Sequence, residues 1–340
     1  MNTPDTERYP QTPPSIAPLP DAPGRPRWSV MIPAYNCSAF LPDALKSVLA
    51  QDMGPELMQI EVVDDASTDA DVQALVEAHG HGRVSYFRQP RNVGSIRNFE
   101  TCINRAQGHI VHILHGDDRL MPVAPGATGF YQKMDELLER YPQAGAAACH
   151  YAYINEAGRL NGIPARLAEE DGLLEDWLLR LAKQQQLQYA CTVVRRRVYE
   201  ELGSFYGNSY GEDWEMWVRI ARHFPVAYTP DTLAQYRGHG QSISWTKLMS
   251  GELVTDMVQV IGRIQEHVPA AQRKAVADFS GKFYAHFVIT TAYELAERSQ
   301  DWGMVYRLVK KSLELHRDAA MYQKVFRAWF KYQRTKLLAR

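Results

Sequence analysis

The first part of the chain repeats one pattern three times: a short apolar run, a polar turn, and a segment with apolar residues at helical spacing. Short apolar runs are typical of buried strands, and apolar positions three and four residues apart mark one face of a helix. The repeats predict strands at 29–32, 60–63 and 84–87 and helices at 39–51, 72–79 and 96–106. Such alternation predicts a parallel sheet with right-handed crossovers and helices on its faces.

A fourth apolar run begins at His109 and ends in two adjacent carboxylates, Asp117 and Asp118. In an open parallel sheet, the carboxyl ends of the strands face the ligand crevice, so the turn residues Tyr35, Asn36 and Asp65 should join this pair. Adjacent carboxylates repel each other, and a divalent cation that carries a phosphate-bearing ligand would neutralise them. Each turn alone is typical of a helix cap, and only their joint placement favours a site.

The middle of the chain predicts further elements of the same fold. They are a helix at 126–140, a strand at 144–153, a hairpin turn at 155–158, a helix at 172–182, and strands at 189–194 and 233–236. We expect this region to form the acceptor side. The arginines at 195–197 either bind an anionic acceptor or form a solvated strand end.

After Lys247 the strand signals stop, and periodic apolar positions predict a helical region with helices at 254–264, 276–295 and 304–315. Residues 324–340 carry several basic and aromatic residues and no acidic one. A helix of this kind can lie on the anionic surface of the inner membrane, or it can pack its apolar stripe on the other helices.

Composition narrows the class of protein. The chain has 340 residues, 45% of them hydrophobic, and a formal net charge of -1, which gives no overall attraction to nucleic acid. The four cysteines lie far apart, without metal-binding or redox spacing. No signal peptide or membrane-spanning run is present, so we expect a soluble cytoplasmic protein. Residues 1–26 are rich in proline and poor in large apolar side chains, which predicts a disordered leader.

Several motifs, in this order, resemble the GT-A fold enzymes of glycosyltransferase family 2. They are Ser-Val-Met-Ile-Pro-Ala-Tyr-Asn (29–36), Glu-Val-Val-Asp-Asp-Ala-Ser-Thr-Asp (61–69), Asn-Val-Gly followed by Arg97 and Asn98, Asp117-Asp118, Gly-Glu-Asp-Trp-Glu-Met-Trp (211–217) and Tyr-Arg-Gly-His-Gly-Gln-Ser-Ile-Ser (236–244). The resemblance implies an α/β, Rossmann-like, mixed and mostly parallel sheet over residues 27–245, with a helical appendage over 246–340.

The resemblance also implies a nucleotide-sugar site. Tyr35 and Asp65 would hold the base and ribose, and Asp117 and Asp118 would reach the metal and the sugar diphosphate. The full set of binding residues expected from it is Pro33, Tyr35, Asn36, Asp65, Asn92, Arg97, Asp117, Asp118 and Glu212. The family often has an acid two residues before the aspartate pair, where this chain has His115. We therefore expect Asp118 to be the main ligand of Mn²⁺ or Mg²⁺.

Sugar transfer also needs a base for the acceptor hydroxyl. Glu212 and Asp213 open a predicted helix after a glycine- and tyrosine-rich loop, and we assign Asp213 as the base, although an acid at this position can simply cap the helix. His239 lies in a Gly-His-Gly loop that could bring it to the metal or the diphosphate, or leave it on the surface. Arg237 could pair with phosphate or be a solvated charge, and His109, His112 and His115 receive no role.

These observations predict an inverting, metal-dependent transferase that moves a sugar, expected from a UDP donor, to a glycan or lipid-linked glycan of the bacterial cell surface. Two alternatives remain at this stage. A nucleotidyltransferase would want a glycine- and lysine-rich phosphate loop near the first strand, where this chain has Pro33 to Asn36. A non-catalytic sugar-binding protein on the same fold would need no base.

Overall fold

The computed structural model describes residues 5–338, with side chains described for 7–296 and 300–337. Its contacts divide the chain into two compact units. The first takes in the chain up to Trp177 together with Gln186–His239, and the second takes in Leu178–Gln185 together with the chain from Gly240. The division falls a few residues before the boundary expected at 245.

The first unit is built on one mixed sheet. Its strands are β1 Trp28–Ala34, β2 Met58–Asp64, β3 Ser85–Arg88, β4 Ile110–Ile113, β5 Arg119–Leu120, β6 Ala146–Ile154, β7 Leu160–Gly162, β8 Gly172–Leu173, β9 Thr192–Arg195 and β10 Val226–Arg237. The order is β3-β2-β1-β4-β9-β6-β10-β5, with β7 paired to β6 and β8 to β10. The β3-β2-β1-β4 half and the β6-β10 pair are parallel, whereas β9 runs antiparallel to both β4 and β6.

The helices up to His223 connect these strands, as parallel connections require, except for the first, which precedes β1. They are α1 Asp5–Arg8, α2 Leu41–Leu49, α3 Val72–Gly80, α4 Ser95–Arg105, α5 Phe130–Arg140, α6 Trp177–Lys183, α7 Arg196–Leu202 and α8 Glu212–His223. Every residue of β1 is buried, which explains why this central strand reads as an apolar run. The predicted mixed, mostly parallel sheet flanked by helices is confirmed.

Several predicted elements in the middle of the chain differ from the structure. The helix expected at 126–140 begins at Phe130, and the strand expected at 233–236 begins at Val226. The helix expected from residue 172 begins only at Trp177, because Gly172 and Leu173 pair with β10. The strand expected from 189 begins with a 3-10 turn, Tyr189–Cys191, and becomes β9 at Thr192. At 172–173 backbone pairing with a distant strand decides the local conformation, which short-range periodicity does not report. At 189–191 the chain turns before its pairing with β6 begins at Thr192.

The arginines at 195–197 are not a solvated strand end, because two of them bind backbone carbonyls. Arg195 Nε donates to Ala144 O at 2.8 Å, and Arg196 Nε donates to Ala106 O at 3.0 Å. Arg196 is also 1% exposed and opens α7. A buried guanidinium needs such acceptors, so these two arginines tie β9 and α7 to neighbouring segments.

The expected disorder of the leader is wrong for residues 7–26; residues 1–4 lie outside the described residues. Carbonyls of this segment accept backbone hydrogen bonds from Ser204 (Pro14 O, 2.8 Å) and Gly207 (Pro10 O, 2.8 Å). Ile16 is 3% exposed and anchors the segment in the first unit. Proline lacks the N–H donor but keeps its carbonyl acceptor, so a proline-rich segment can pair with a folded surface. We call residues 7–26 the N-terminal strap.

The second unit is helical after Gly240. Its helices there are α9 Ile243–Ser250, α10 Glu252–His267, α11 Arg273–Ser299, α12 Trp302–Lys311 and α13 Ala319–Leu338. Consecutive helices from α9 to α13 pack on one another. Over residues 5–338, no helix combines the length and the apolar character that crossing a bilayer requires.

Candidate functional site

The aspartate pair lies in a tight turn between β4 and β5. Ligand atoms of His115, Asp117 and Asp118 all lie within 4.8 Å of one another. Asp118 is 1% exposed. Its Oδ2 atom and Nε2 of His115 are buried and have no hydrogen-bond partner among the described residues. Two orphaned buried polar atoms beside a second carboxylate form a donor set that fits a divalent cation.

Arg237, at the end of β10, holds this turn in place. Its backbone N–H donates to Asp118 Oδ1 at 2.8 Å, and its Nε donates to the Asp117 carbonyl at 2.7 Å. The guanidinium also pairs with Asp43 of α2 at 2.9 Å, and the side chain is 1% exposed. Arg237 was expected to be either a phosphate ligand or a solvated charge; it is instead buried and supports the aspartate turn.

His239 adjoins the same turn through Asp117. Its Nε2 lies 2.9 Å from Asp117 Oδ2, and its ring packs on Phe40 with centroids 4.7 Å apart. The set of mutually close ligand atoms contains His115 rather than His239, which had been the expected second metal ligand. The structure therefore places His239 as a partner of Asp117, and His115 as the histidine with a ligand atom close to both carboxylates.

The two carboxyls of the pair are perturbed in opposite directions. Burial raises the pKa of Asp118 well above its usual value, and the charge of Asp117 adds to this effect. Burial also opposes ionisation of Asp117, but the hydrogen bond from His239 and the nearby histidines hold its pKa below the usual value. A buried pair in this state binds a cation readily, because the cation offsets the repulsion between the carboxylates.

Aromatic rings connect this turn to α8. His115 lies against Phe99 (5.1 Å between centroids) and Tyr189 (4.4 Å). The Tyr189 hydroxyl donates to Glu212 Oε1 at 3.2 Å. Glu212 and Asp213 open α8 after Gly211, whose φ of 85° lets the chain enter the helix sharply. The structure thus links the expected Glu212 to the aspartate turn through a tyrosine that sequence analysis had not singled out.

Asp213 lies next to Glu212 and is partly exposed. Its Oδ1 accepts a hydrogen bond from the Trp214 N–H at 2.7 Å, so the carboxylate is oriented at the first turn of the helix. Capping and proton transfer are compatible roles for one carboxylate, since each of its oxygens has two lone pairs.

A second cluster surrounds Asp65, which is 2% exposed. Its carboxylate accepts from the backbone N–H groups of Val93 (2.7 Å) and Gly94 (2.9 Å) and from the Asn92 side chain (3.0 Å). Burial raises the pKa of Asp65 to about 6, although these backbone hydrogen bonds and Arg8 act in the opposite direction. The carboxylate therefore shapes the loop at 92–94.

The N-terminal strap reaches this second cluster. Arg8 donates to Asn92 Oδ1, and Arg97 Nε donates to the Glu7 carbonyl at 2.7 Å. Arg97 also pairs with Glu100 at 2.6 Å. Asn92 and Arg97 were expected to bind the nucleotide, but their side chains are already hydrogen-bonded in this conformation. The strap residues Glu7 and Arg8 were not predicted, because no local pattern marks them.

Both clusters flank the carboxyl end of β1. The Pro33 carbonyl accepts from the Gly116 N–H at 3.1 Å, and the Ala34 carbonyl accepts from the Asp65 N–H at 2.8 Å. Tyr35 follows directly and is 50% exposed. Asn36 Oδ1 accepts from the Thr68 N–H at 2.8 Å. The expected convergence of the strand-end turns on one edge of the sheet is present.

Comparison with known proteins agrees with this architecture. A solved structure of TarS residues 1–349 from Staphylococcus aureus, in complex with UDP-GlcNAc, matches with a TM-score of 0.63 at 14% identity, covering 90% of this chain and 88% of that one. The mannosyltransferase PcManGT from Pyrobaculum calidifontis, in complex with GDP-Man and Mn²⁺, matches with a TM-score of 0.51 at 19% identity, covering 95% and 91%. At such identities these likenesses bear on the fold, and they confirm the GT-A class.

Sequence comparison bears on the family. An uncharacterized protein of Mycobacterium tuberculosis is 28% identical over 240 residues, which are 67% of this chain and 72% of that protein. The sequence model described as "Glycosyl transferase family 2" matches residues 29–203, which include β1 from its second residue, the Asp65 cluster and the aspartate turn. Since this match spans more than half of the 340 residues, the chain belongs to glycosyl transferase family 2 and is a glycosyltransferase.

Proposed function

We propose that this glycosyltransferase uses a nucleoside-diphosphate sugar and a divalent cation, and that it transfers the sugar with inversion to a hydroxyl of a glycan or lipid-linked glycan. The observation that carries the proposal is the donor set of the aspartate turn, in which Asp118 Oδ2 and His115 Nε2 are buried and have no partner in the described part of the chain. The bound donors named for the two solved structures, UDP-GlcNAc and GDP-Man, support a nucleotide sugar, and we favour a UDP-sugar.

Asp118 and Asp117 are the proposed ligands of Mn²⁺ or Mg²⁺, with His115 close enough to complete the set. Oxygen ligands suit both ions, and Mn²⁺ also accepts an imidazole. When bound, the ion supplies Lewis-acid stabilisation of the leaving diphosphate. We assign His239, first considered as a ligand, to the orientation of Asp117 through its 2.9 Å contact.

The nucleotide is proposed to lie at the end of β1. Tyr35 offers an exposed ring for the base, next to Pro33 and Asn36. Asp65 keeps the loop at 92–94 in shape, which places Asn92 beside it. In this proposal Arg97 exchanges its contact with Glu7 for the nucleotide when the donor binds.

Asp213 is the proposed base. Its carboxylate takes the proton of the acceptor hydroxyl while the hydroxyl oxygen attacks the anomeric carbon from the face opposite the diphosphate. The bond from that carbon to the diphosphate oxygen breaks in the same step, and the configuration inverts. Glu212, held by Tyr189, orients the start of α8 and the acceptor side of the site.

The test is the substitution Asp213→Asn, assayed for sugar transfer and for UDP binding. Loss of a general base lowers turnover by about 10²- to 10⁴-fold, and UDP binding should be retained. Asp71→Asn is the matched control, because Asp71 caps α3 through a 3.0 Å bond to Ala74 N and has no proposed role in transfer. Equal turnover in Asp213→Asn and wild type would remove the base assignment.

We further propose that the reaction takes place at the cytoplasmic face of a bacterial membrane, in the synthesis of a surface polysaccharide or glycolipid. The basic composition of α13 supports this location, since a lipid-linked acceptor is presented at a membrane surface.

A further inference from the structure

Helix α13 has two apolar faces, and only one of them is packed. Met321 and Ala328 are fully buried. A second stripe runs along the helix at 322, 326, 329, 330 and 337, where successive turns of an α-helix align. Its members are Tyr322, Phe326, Trp329, Phe330 and Leu337, with exposures of 53%, 63%, 39%, 59% and 73%. A single exposed aromatic residue is ordinary on a soluble protein, but an aligned stripe of this size marks an interaction surface.

The charges that α13 itself carries around this stripe are of one sign. Between 319 and 338 the sequence has five basic residues and no acidic residue. They are Lys324, Arg327, Lys331, Arg334 and Lys336. Arg327 and Arg334 are exposed and lie on the helix beside the stripe. A partner that buries the stripe must therefore tolerate or supply negative charge.

A groove between α11 and α13 extends the same surface. Its volume is about 580 Å³. Its lining combines apolar groups of Ile289, Tyr293, Phe326 and Phe330 with the cations Lys324 and Arg327, and it also includes Glu294 of α11. A lining that joins apolar groups to several cations suits a molecule that is apolar in one part and anionic in another.

Self-association fits this surface poorly. An interface with two-fold symmetry would place the same stripe and the same five basic residues of each copy against one another. Like charges brought together at an interface oppose association. An anionic lipid surface has the opposite character: tyrosine and tryptophan favour the membrane interface, and arginine and lysine reach past apolar groups to lipid phosphates.

We propose that the stripe from Tyr322 to Leu337 and its flanking cations form a docking surface for an anionic lipid bilayer, with α13 lying flat in the headgroup region. This proposal rests on the membrane location proposed above and names the surface that would provide it; it does not depend on the sugar-transfer chemistry. Hydrophobic contact and electrostatic attraction both contribute, so binding requires anionic lipid and weakens as salt screens the charges.

The test is flotation of the full chain with vesicles containing phosphatidylglycerol and with vesicles of phosphatidylcholine alone. The wild type should float with the anionic vesicles only, and less so at high salt. Phe326→Ser with Phe330→Ser should lower the bound fraction by about tenfold or more, because each ring loses a large apolar contact. Arg327→Gln with Arg334→Gln should do the same at low salt.

The matched control is Leu160→Ser with Ile163→Ser, since these first-unit residues are 62% and 57% exposed, much like Phe326 and Phe330. The control should float as the wild type does. Equal flotation of the phenylalanine double variant, or no flotation of the folded wild type, would overturn the proposal. A wild-type dimer that the double variant dissociates, without vesicle binding, would instead assign the surface to a second copy. UDP binding by the double variant should be unchanged, so a failure of this test removes the proposed membrane location and leaves the proposed sugar-transfer chemistry untouched.

Discussion

The Nε2 atom of His239 lies 2.9 Å from Oδ2 of Asp117, across 122 residues of sequence. The contact joins the loop after β10 to the turn after β4. It lowers the pKa of Asp117 against the effect of burial, and the 5% exposed imidazole is itself held against Phe40. One carboxylate of the pair is thus kept ionised and oriented before any ligand arrives.

Substitution of His239 tests this positioning role. His239→Ala should lower transfer by about 10- to 100-fold, the usual effect of removing a group that orients a metal ligand. His239→Gln should recover part of the loss, because its amide can donate to Asp117. The concentration of Mn²⁺ required for half-maximal transfer should rise in His239→Ala. An unchanged metal requirement would mean that the contact only packs the loop.

Asp118 should lower the stability of the metal-free protein and should be required for metal binding. Asp118→Asn keeps an acceptor for the Arg237 N–H but removes a carboxyl group that is unfavourable to ionise. Burial and the charge of Asp117 both raise the pKa of Asp118. Without metal, the variant should melt roughly 2–4 °C above the wild type, corresponding to about 1 kcal/mol in a domain of this size. With Mn²⁺, the wild type should gain stability and the variant should not.

Thermal denaturation with and without Mn²⁺ measures both effects. Asp52→Asn is the control. Asp52 forms an ion pair with Arg83 at 2.8 Å, so this variant loses a carboxylate that is already paired. It should be less stable than wild type and still respond to Mn²⁺. A metal response in Asp118→Asn equal to that of wild type would exclude Asp118 as a ligand.

The packing of the N-terminal strap predicts a cost for removing its anchor. Ile16→Ala should lower the free energy of unfolding by about 2–3 kcal/mol, because a buried isoleucine loses most of its side chain. Leu19→Ala, at a partly exposed position of the same segment, should cost much less. Urea denaturation compares the two. Equal stability of Ile16→Ala and wild type would support the disordered leader that composition alone predicts.

His112 should make the protein sensitive to acid. Burial lowers the pKa of His112 from 6.5 to about 3, so the folded protein excludes a proton that the unfolded chain binds. The contribution of the neutral His112 side chain to the free energy of unfolding is therefore fully present above pH 6.5 and falls as the pH decreases toward 3. By about pH 5 the contribution of this one histidine should have dropped by about 2 kcal/mol.

The urea concentration at the midpoint of unfolding, measured above pH 6.5 and at about pH 5, reports this effect. His112→Gln should reduce the loss of stability on acidification, whereas His79→Gln, at an exposed histidine of α3, should leave it unchanged. Identical pH dependence in His112→Gln and wild type would mean that the buried imidazole is protonated with little penalty.

The repeated strand and helix units were predictable because each is defined over a few residues by its own apolar spacing. The convergence of Asp65, Asp117 and Asp118 on the end of β1 followed from the rule that parallel strands share an edge. What escaped prediction depends on distant partners. Arg237 is buried because it binds Asp43 and the Asp117 carbonyl. These partners lie 194 and 120 residues away in sequence. No local pattern carries that information.

The strap and His115 were missed for different reasons. Composition reports that residues 7–26 offer few large apolar groups, but it does not report the carbonyls that Ser204 and Gly207 use. His115 was recognised only as a departure from the acid that the family often has. Its importance depends on an imidazole that lies close to two carboxylates and has an Nε2 atom without a partner among the described residues, which only the folded arrangement reveals.

The most direct test of the account is calorimetric titration of UDP and of GDP into the protein, with and without Mn²⁺. The account predicts that wild type binds one of the two nucleotides only when Mn²⁺ is present, that Asp71→Asn behaves in the same way, and that Asp118→Asn binds neither. Binding of a nucleotide with the same affinity to folded wild type and folded Asp118→Asn, with or without the metal, would contradict it.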